Sequence, residues 1–341
     1  MKQSILAAAA AIAGGAYLAK RIVRSTRKID FHGRNVLITG GSRGLGLVLA
    51  RQFAAEGADI TLLARDDENL ERAVIDIAAR GADVLGIACD VTDEHQVQRA
   101  VERSIGRHGR LDVLINNAGQ IRVGPIDHMS EQDFDDAMAV HFYAPLYTTL
   151  AVLPHMRVRS EGRIVNISSI GGKIGIPHLV PYCASKFALA GLSESLRAEL
   201  AEDNILITTV YPGLMRTGSP INAEFKGRHR EEFAWFALMD ATRLTSISAM
   251  RAARKIVNAT QHGDARLVIS MQAKLAVMLN ELIPEIAAQG TALMNRLLPA
   301  VSQLQDKESF TGCESSSQWA PSRLTKLSDN AALENNEVEA V

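Results

Sequence analysis

From Asn35 to Ile269 short runs of consecutive apolar residues alternate with longer stretches of amphipathic spacing. That alternation predicts strands of a parallel sheet joined by crossover helices. The candidate strands are Val36 to Thr39, Ile60 to Leu63, Val84 to Ile87, Val113 to Ile115, Arg163 to Ile167, Leu206 to Val210 and Leu267 to Ile269. Seven such strands make an α/β fold with a doubly wound, seven-stranded, Rossmann-like parallel sheet. Ligands of such sheets sit beyond the carboxyl ends of the strands, so the residues just after each run carry the most weight.

The pattern changes at both ends. Gln3 to Ala19 holds no charged residue and is followed by Lys20, Arg21, Arg24, Arg27 and Lys28. This run sits at the lower limit of roughly 17 residues for spanning a bilayer. It reads as a membrane anchor, a cleaved secretory signal or a peripheral leader. A signal peptide carries its charge mainly before the apolar core, and here most of it follows. The positive-inside rule then places the bulk of the chain on the cytoplasmic side of a membrane, with a plainly cytoplasmic protein as the alternative. Residues 272–298 carry Leu275, Leu279, Leu282, Ile283, Ile286, Leu293, Met294, Leu297 and Leu298 at spacings of mostly three and four, which predicts amphipathic helix broken near Pro284 and Gly290. Such a helix packs on the protein itself, on a twin subunit in a homo-oligomer, or on a membrane surface. From about Gln305 the chain is rich in Ser, Asn, Glu and Gln and reads as a solvated, largely disordered tail. The expected division is a leader over 1–32, a single catalytic domain over 33–270, a helical extension over 271–300 and the tail over 301–341.

Composition narrows the function. The 341 residues carry 37 basic and 38 acidic side chains, a net charge of −1, so no global field collects nucleic-acid phosphates. Three widely spaced cysteines, Cys89, Cys183 and Cys313, write neither a disulfide framework nor a metal site.

Chemistry begins directly after the first strand, at Thr39-Gly40-Gly41-Ser42-Arg43-Gly44-Leu45-Gly46, where a glycine-rich turn opens into an apolar helix. Such a turn lets backbone approach a pyrophosphate, and the free N–H groups and dipole of the helix favour its charge. At the end of the second strand an acidic residue would accept from a 2′-hydroxyl and repel a 2′-phosphate. Here stand Ala64 and Arg65, so Arg65 and Arg43 predict a clamp for the 2′-phosphate, and NADP(H) over NAD(H). Asp66 and Asp67 follow as candidate caps of the next helix.

Four further pieces follow in order: Cys89-Asp90-Val91, Asn116-Asn117-Ala118-Gly119, Ser168-Ser169, and Tyr182-Cys183-Ala184-Ser185-Lys186. Together with the glycine turn they resemble the short-chain dehydrogenase/reductase family over roughly Gly33 to Ser270. The resemblance implies that Asp90 and Val91 hold the adenine, that Asn117, Ala118 and Gly119 line the cofactor cleft, and that Pro212, Gly213 and Thr217 cover the nicotinamide. It also selects Ser169 rather than Ser168 as the catalytic serine.

Tyr182 and Lys186 are four apart and share one helix face, which places an ammonium near the phenol. A nearby cation, reinforced by the positive nicotinamide of the oxidised cofactor, favours phenolate and is expected to lower the tyrosine's pKa towards a useful range. Lys186 would also donate to the nicotinamide ribose, while Ser169 orients the substrate oxygen as Tyr182 supplies or removes the proton. One position departs from the family pattern, which has an asparagine where this chain reads Val140-His141-Phe142. The family's asparagine acts through its main-chain carbonyl, so His141 either preserves that relay, adds a titrating group or packs as a neutral ring. The segment after Gly213, a substrate lid by the resemblance, contains Phe225, Phe233, Trp235, Phe236, Leu238 and Met239 in a chain only 5% aromatic. It suits a bulky apolar alcohol or ketone of steroid, retinoid or fatty-acyl type, or else a subunit interface. The expected function is carbonyl and alcohol interconversion by hydride transfer. The alternative is a non-catalytic dinucleotide sensor or scaffold on the same fold.

Overall fold

The computed structural model describes residues 14–15, 18–19, 21–242, 245–302 and 307–338. Seven strands form one parallel sheet: β1 (Asn35–Thr39), β2 (Asp59–Ala64), β3 (Val84–Ala88), β4 (Val113–Asn116), β5 (Gly162–Ile167), β6 (Ile205–Pro212) and β7 (Arg266–Ile269). Their spatial order is β7-β6-β5-β4-β1-β2-β3. Every strand expected from the apolar runs is present, extended by one to three residues. Ile38 of β1 lies opposite Leu62 of β2 and Ile115 of β4, so the order reverses at β1 and a crevice opens beyond the carboxyl ends there.

Helices cover both faces because each strand is apolar on both. On one side α1 (Gly44–Ala55), α2 (Asp67–Ala78) and α8 (Ala249–His262) cover Val36, Ile38 and Leu62. On the other, α3 (Glu94–His108) and α5 (Ala144–Arg159) cover Leu37, Leu63 and Leu114. Between these come α4 (Glu131–Met138), which runs through one π-helical turn at Ala139–Tyr143 into α5, then α6 (Val180–Glu199) and α7 (His229–Ala241). Asp66 caps α2 by accepting from Asn69 N, as the acidic pair predicts, and Asp93 caps α3 by accepting from His95 and Gln96 N–H groups.

The leader, Gln3 to Ala19, lies almost wholly outside the described residues, and among those described no helix is long and apolar enough to cross a membrane. Residues 21–26 are helical and lie against the amino-terminal edge of the sheet. Arg24 reaches Asn258 at 2.7 Å, Ile29 N donates to Gln261 O at 3.0 Å, and Arg163 donates to Arg27 O at 2.8 Å.

Past β7 come α9 (Met271–Leu282) and α10 (Pro284–Asn295). The break falls at Ile283, and Pro284 opens α10 at a position where its missing N–H costs no helical bond, while Gly290 is carried inside the helix. Only Ala273 and Val277 of α9 are buried, and no residue of α10 is. The expectation of a disordered tail needs correction. Residues 307–338 pack on the domain with a short strand at Phe310–Thr311 and α11 (Lys326–Glu334). Their polar side chains find protein partners instead of water: Ser328 donates to the buried Asp240 at 2.8 Å, and Asn335 to Thr217 O at 3.1 Å.

Candidate active site

At the carboxyl end of β1 the chain turns through Gly40, whose φ of +61° is the left-handed region. A Cβ there would stand 2.9 Å from Ala118 Cα, and one on Gly46 would collide with Gly40 O. The turn is therefore closed down on itself and on β4, with the amino end of α1 facing the crevice. Asn117 holds it there, donating to Thr39 O and Gly40 O at 3.1 Å each, while Thr39 Oγ1 accepts from Asn117 N and Ala118 N at 3.0 Å each.

These elements wall a cleft of about 1100 Å³. Of the residues singled out for the cofactor, Gly40, Ser42, Arg43, Gly44, Leu45, Arg65, Asp90, Val91, Asn117, Ala118, Gly119, Tyr182, Lys186, Pro212, Gly213 and Thr217 all line it. Thr39 and Gly46 do not reach it and serve as struts behind the wall. A dinucleotide fits this donor set: the helix terminus at the glycine turn, two guanidinium groups at one end, and hydroxyl and ammonium groups at the other.

The catalytic candidates meet at the floor. Beyond the end of β5, Ser168 donates to Lys186 O at 3.0 Å, and Ser169 opens a short turn by accepting from Gly171 N at 3.0 Å. A Cβ on Gly172 would stand 2.6 Å from Lys186 O, so the small residue lets α6 approach closely. Tyr182 lies in the first turn of α6 with Lys186 one turn on, as their spacing predicts. The phenol is hydrogen-bonded to Ser169, and Lys186 Nζ stands 5.7 Å from its ring centroid while donating to Ile167 O at 2.9 Å.

Electrostatics at the floor differ from expectation. Burial pushes the Tyr182 phenol up to about 12, against the Ser169 hydrogen bond that favours the anion, and burial lowers Lys186 to about 7. In the chain by itself the ammonium stands over the ring face and bonds a carbonyl, while desolvation disfavours both charges. At neutral pH Tyr182 thus holds its proton and is poised as an acid.

His141, in the π turn, is almost fully buried. Its Nε2 accepts from Gln120 N at 3.2 Å, so Nδ1 carries the proton and donates to Ser185 Oγ at 2.8 Å, which in turn donates to Tyr182 O at 2.8 Å. Desolvation, with the Lys186 charge second, holds it well below the usual histidine range. The ring is thus held neutral, edge-on to Tyr182 at 5.3 Å.

The other end of the cleft is apolar, walled by Ile176, Leu179, Met215, Trp235, Phe236 and Met239. Glu232 fixes the indole, accepting from Trp235 Nε1 at 2.8 Å and pairing with His178 Nδ1 at 2.8 Å. Phe225 and Phe233 of the expected lid instead pack into a core of their own with Val123, and Leu238 does not reach the cleft. Sequence reasoning missed Asn69, Gln272, Met294 and Glu337, all at the cleft wall. Asn69, Gln272 and Glu337 are polar residues of no special spacing, and Met294 is marked in the sequence only as part of an amphipathic helix.

The fold and this floor define a dinucleotide-dependent oxidoreductase. The family model for short chain dehydrogenase matches residues 34–226. The dehydrogenase/reductase SDR family protein 7-like of Anopheles gambiae is 34% identical over 77% of this chain and 83% of its own length. Oxidoreductase UcpA of Salmonella typhimurium is 40% identical over 54% of this chain and 70% of its own. Among solved structures, a short-chain dehydrogenase from Streptomyces avermitilis has a TM-score of 0.66 at 30% identity, covering 77% of this chain and 98% of that one. A metagenomic short-chain oxidoreductase in complex with NADP has a TM-score of 0.52 at 35% identity, covering 54% and 84%. The chain belongs to the short-chain dehydrogenase/reductase family. It is an NAD(P)-dependent oxidoreductase.

Proposed function

We propose that the protein uses NADP(H) to interconvert a carbonyl and a secondary alcohol on a bulky apolar substrate of steroid, retinoid or fatty-acyl type. The observation that carries this reading is the meeting of Ser169, Tyr182 and Lys186 at the floor of a cleft whose far wall is apolar. When bound, the dinucleotide supplies or accepts the hydride. Arg43 and Arg65 would hold its 2′-phosphate, with Ala64 leaving no acid to repel it, and the metagenomic relative in complex with NADP supports that choice. Ser169 donates to the substrate oxygen and fixes its distance from Tyr182. Tyr182 delivers its proton to that oxygen as negative charge develops there, which a phenol at about 12 does readily once the oxygen becomes an alkoxide. Lys186, held by Ile167 O beneath the ring, would hold the nicotinamide ribose and offset charge on the tyrosine oxygen.

The test is loss of nicotinamide absorbance with NADPH and a panel of ketones. Turnover of apolar, ring-bearing or long-chain ketones well above that of small polar ones is expected; preference for the small polar ketones would overturn the substrate class. We also propose that the apolar leader with its basic flank holds the enzyme at the cytoplasmic side of a membrane, supported by exposed Leu18, Ile22 and Val23 beside it. Full-length protein should pellet with membranes and be released by detergent; a chain that never pellets refutes the anchor.

A further inference from the structure

The turn built for a phosphate already holds a carboxylate of the same chain. Residues 335–337 cross the cleft just beyond α11. Gly44 N, in the first turn of α1, donates to Asn335 O at 2.8 Å. The Glu337 carboxylate, 4% exposed, lies 3.6 Å from Arg43 Nε and accepts from Asn222 Nδ2 at 2.7 Å. It presses so closely on Gly44 that a side chain there would collide with Glu337 Oε1. Asn336 fastens the crossing to the adenosine side, donating to Ser42 O at 2.9 Å and Asn69 O at 3.1 Å, while Asn335 fastens it to the nicotinamide side through Thr217 O at 3.1 Å.

We propose that this carboxyl-terminal strap is an intramolecular competitor of the dinucleotide, with Glu337 standing in for its phosphate at the glycine turn. The proposal rests on the dinucleotide reading of the cleft. The cofactor would need the Gly44 N–H for its pyrophosphate and the Arg43 guanidinium for its 2′-phosphate, and both are engaged by the strap. The two ligands are also alike in charge, so a strap that stayed in place would set a carboxylate against phosphate oxygens in a dry crevice. Cofactor entry therefore requires residues 335–337 to leave, and apparent affinity is reduced by the fraction of molecules whose turn is free. The bound strap buries Glu337 where desolvation raises its pKa, against the favourable Arg43 charge, so its hold is weaker than the number of contacts suggests and a dinucleotide can displace it.

Two readouts on the full chain test this. Nicotinamide fluorescence titration with NADPH should show Glu337→Ala binding roughly 5- to 100-fold more tightly than the wild type, with Glu337→Gln between them. Limited trypsin cleavage after Arg323 and Lys326, both exposed in the strap's approach, should be accelerated by NADPH in the wild type. Equal NADPH affinity of wild type and variants, with cleavage unchanged by NADPH, overturns the proposal and leaves the cofactor reading standing. Weaker binding by Glu337→Ala with slower cleavage overturns it in favour of a strap that covers bound cofactor. Failure of both wild type and variants to bind either NADPH or NADH overturns the cofactor reading and the proposal together.

Discussion

His141→Asn separates what the buried imidazole does for the fold from what it does for the chemistry. The ring is 1% exposed, and its two nitrogens are matched to one donor, Gln120 N–H, and one acceptor, Ser185 Oγ. Burial disfavours the imidazolium, so the folded chain stays unprotonated where the unfolded chain, with its histidine near 6.5, takes up a proton. Unfolding then binds a proton, and the stability present above about pH 6.5 is lost as pH falls, by about 1.4 kcal/mol for each unit. The asparagine variant loses that slope but also shortens the side chain. Ser185 retains its bond to Tyr182 O, whereas the Gln120 N–H risks a cost of about 1–3 kcal/mol if nothing replaces Nε2. At pH 8 the variant should thus be less stable by roughly 1–3 kcal/mol, and between pH 6.5 and 5.5 it should lose about 1 kcal/mol less than the wild type, because the unfolded histidine is only half protonated at the start of that interval. Urea midpoints at each pH measure both quantities, and the other histidines cancel between the two proteins. Turnover should stay within about tenfold, because the side chain touches Gln120 and Ser185 rather than the Tyr182 hydroxyl. Parallel pH dependences would refute the neutral assignment, and loss of turnover in a folded variant would give His141 a catalytic part.

Tyr182→Phe keeps the ring beside His141 and Lys186 but removes the acid, so turnover should fall by about 10² or more while NADPH binding, measured by fluorescence, changes little; near-normal turnover would sink the mechanism. Arg65→Ala should weaken NADPH by roughly 10- to 100-fold and leave NADH unaffected, since only the former brings a 2′-phosphate to the guanidinium; isothermal titration that shows equal losses for both would place the phosphate elsewhere. Arg65 is the cleaner probe than Arg43, whose loss would also free the Glu337 strap.

The sheet was legible because its strands are buried on both faces and so are written as uninterrupted apolar runs, such as Val36 to Ile38. The floor was legible because Ser169 stands at a strand end and Tyr182 and Lys186 are one helical turn apart, positions that the resemblance to the family singled out and that helix geometry brings to one face. Charge was harder to read. The four-residue spacing of Tyr182 and Lys186 brings their side chains together but says nothing of desolvation, and it was burial that raised the phenol to about 12 instead of lowering it. The lid illustrates the same difficulty: a stretch of aromatics does not say which rings face a ligand, and Phe225 and Phe233 turned inward to build the lid's own core while Trp235 stayed on the cleft wall.

The strap was beyond reading for a deeper reason. Asn335, Asn336 and Glu337 resemble any solvated tail in composition, and what fixes them is complementarity to partners nearly three hundred residues earlier at Ser42, Arg43 and Gly44. Polar segments fold when enough of their groups find partners of opposite character, and that sum depends on the surface they meet as much as on their own sequence. The glycine turn supplies such a surface because it must: donors left free for a phosphate are donors left free for a carbonyl and a carboxylate. A site preorganised for an anion thus carries the means of its own occlusion, and the enzyme's access to cofactor follows from how tightly residues 335–337 hold that turn.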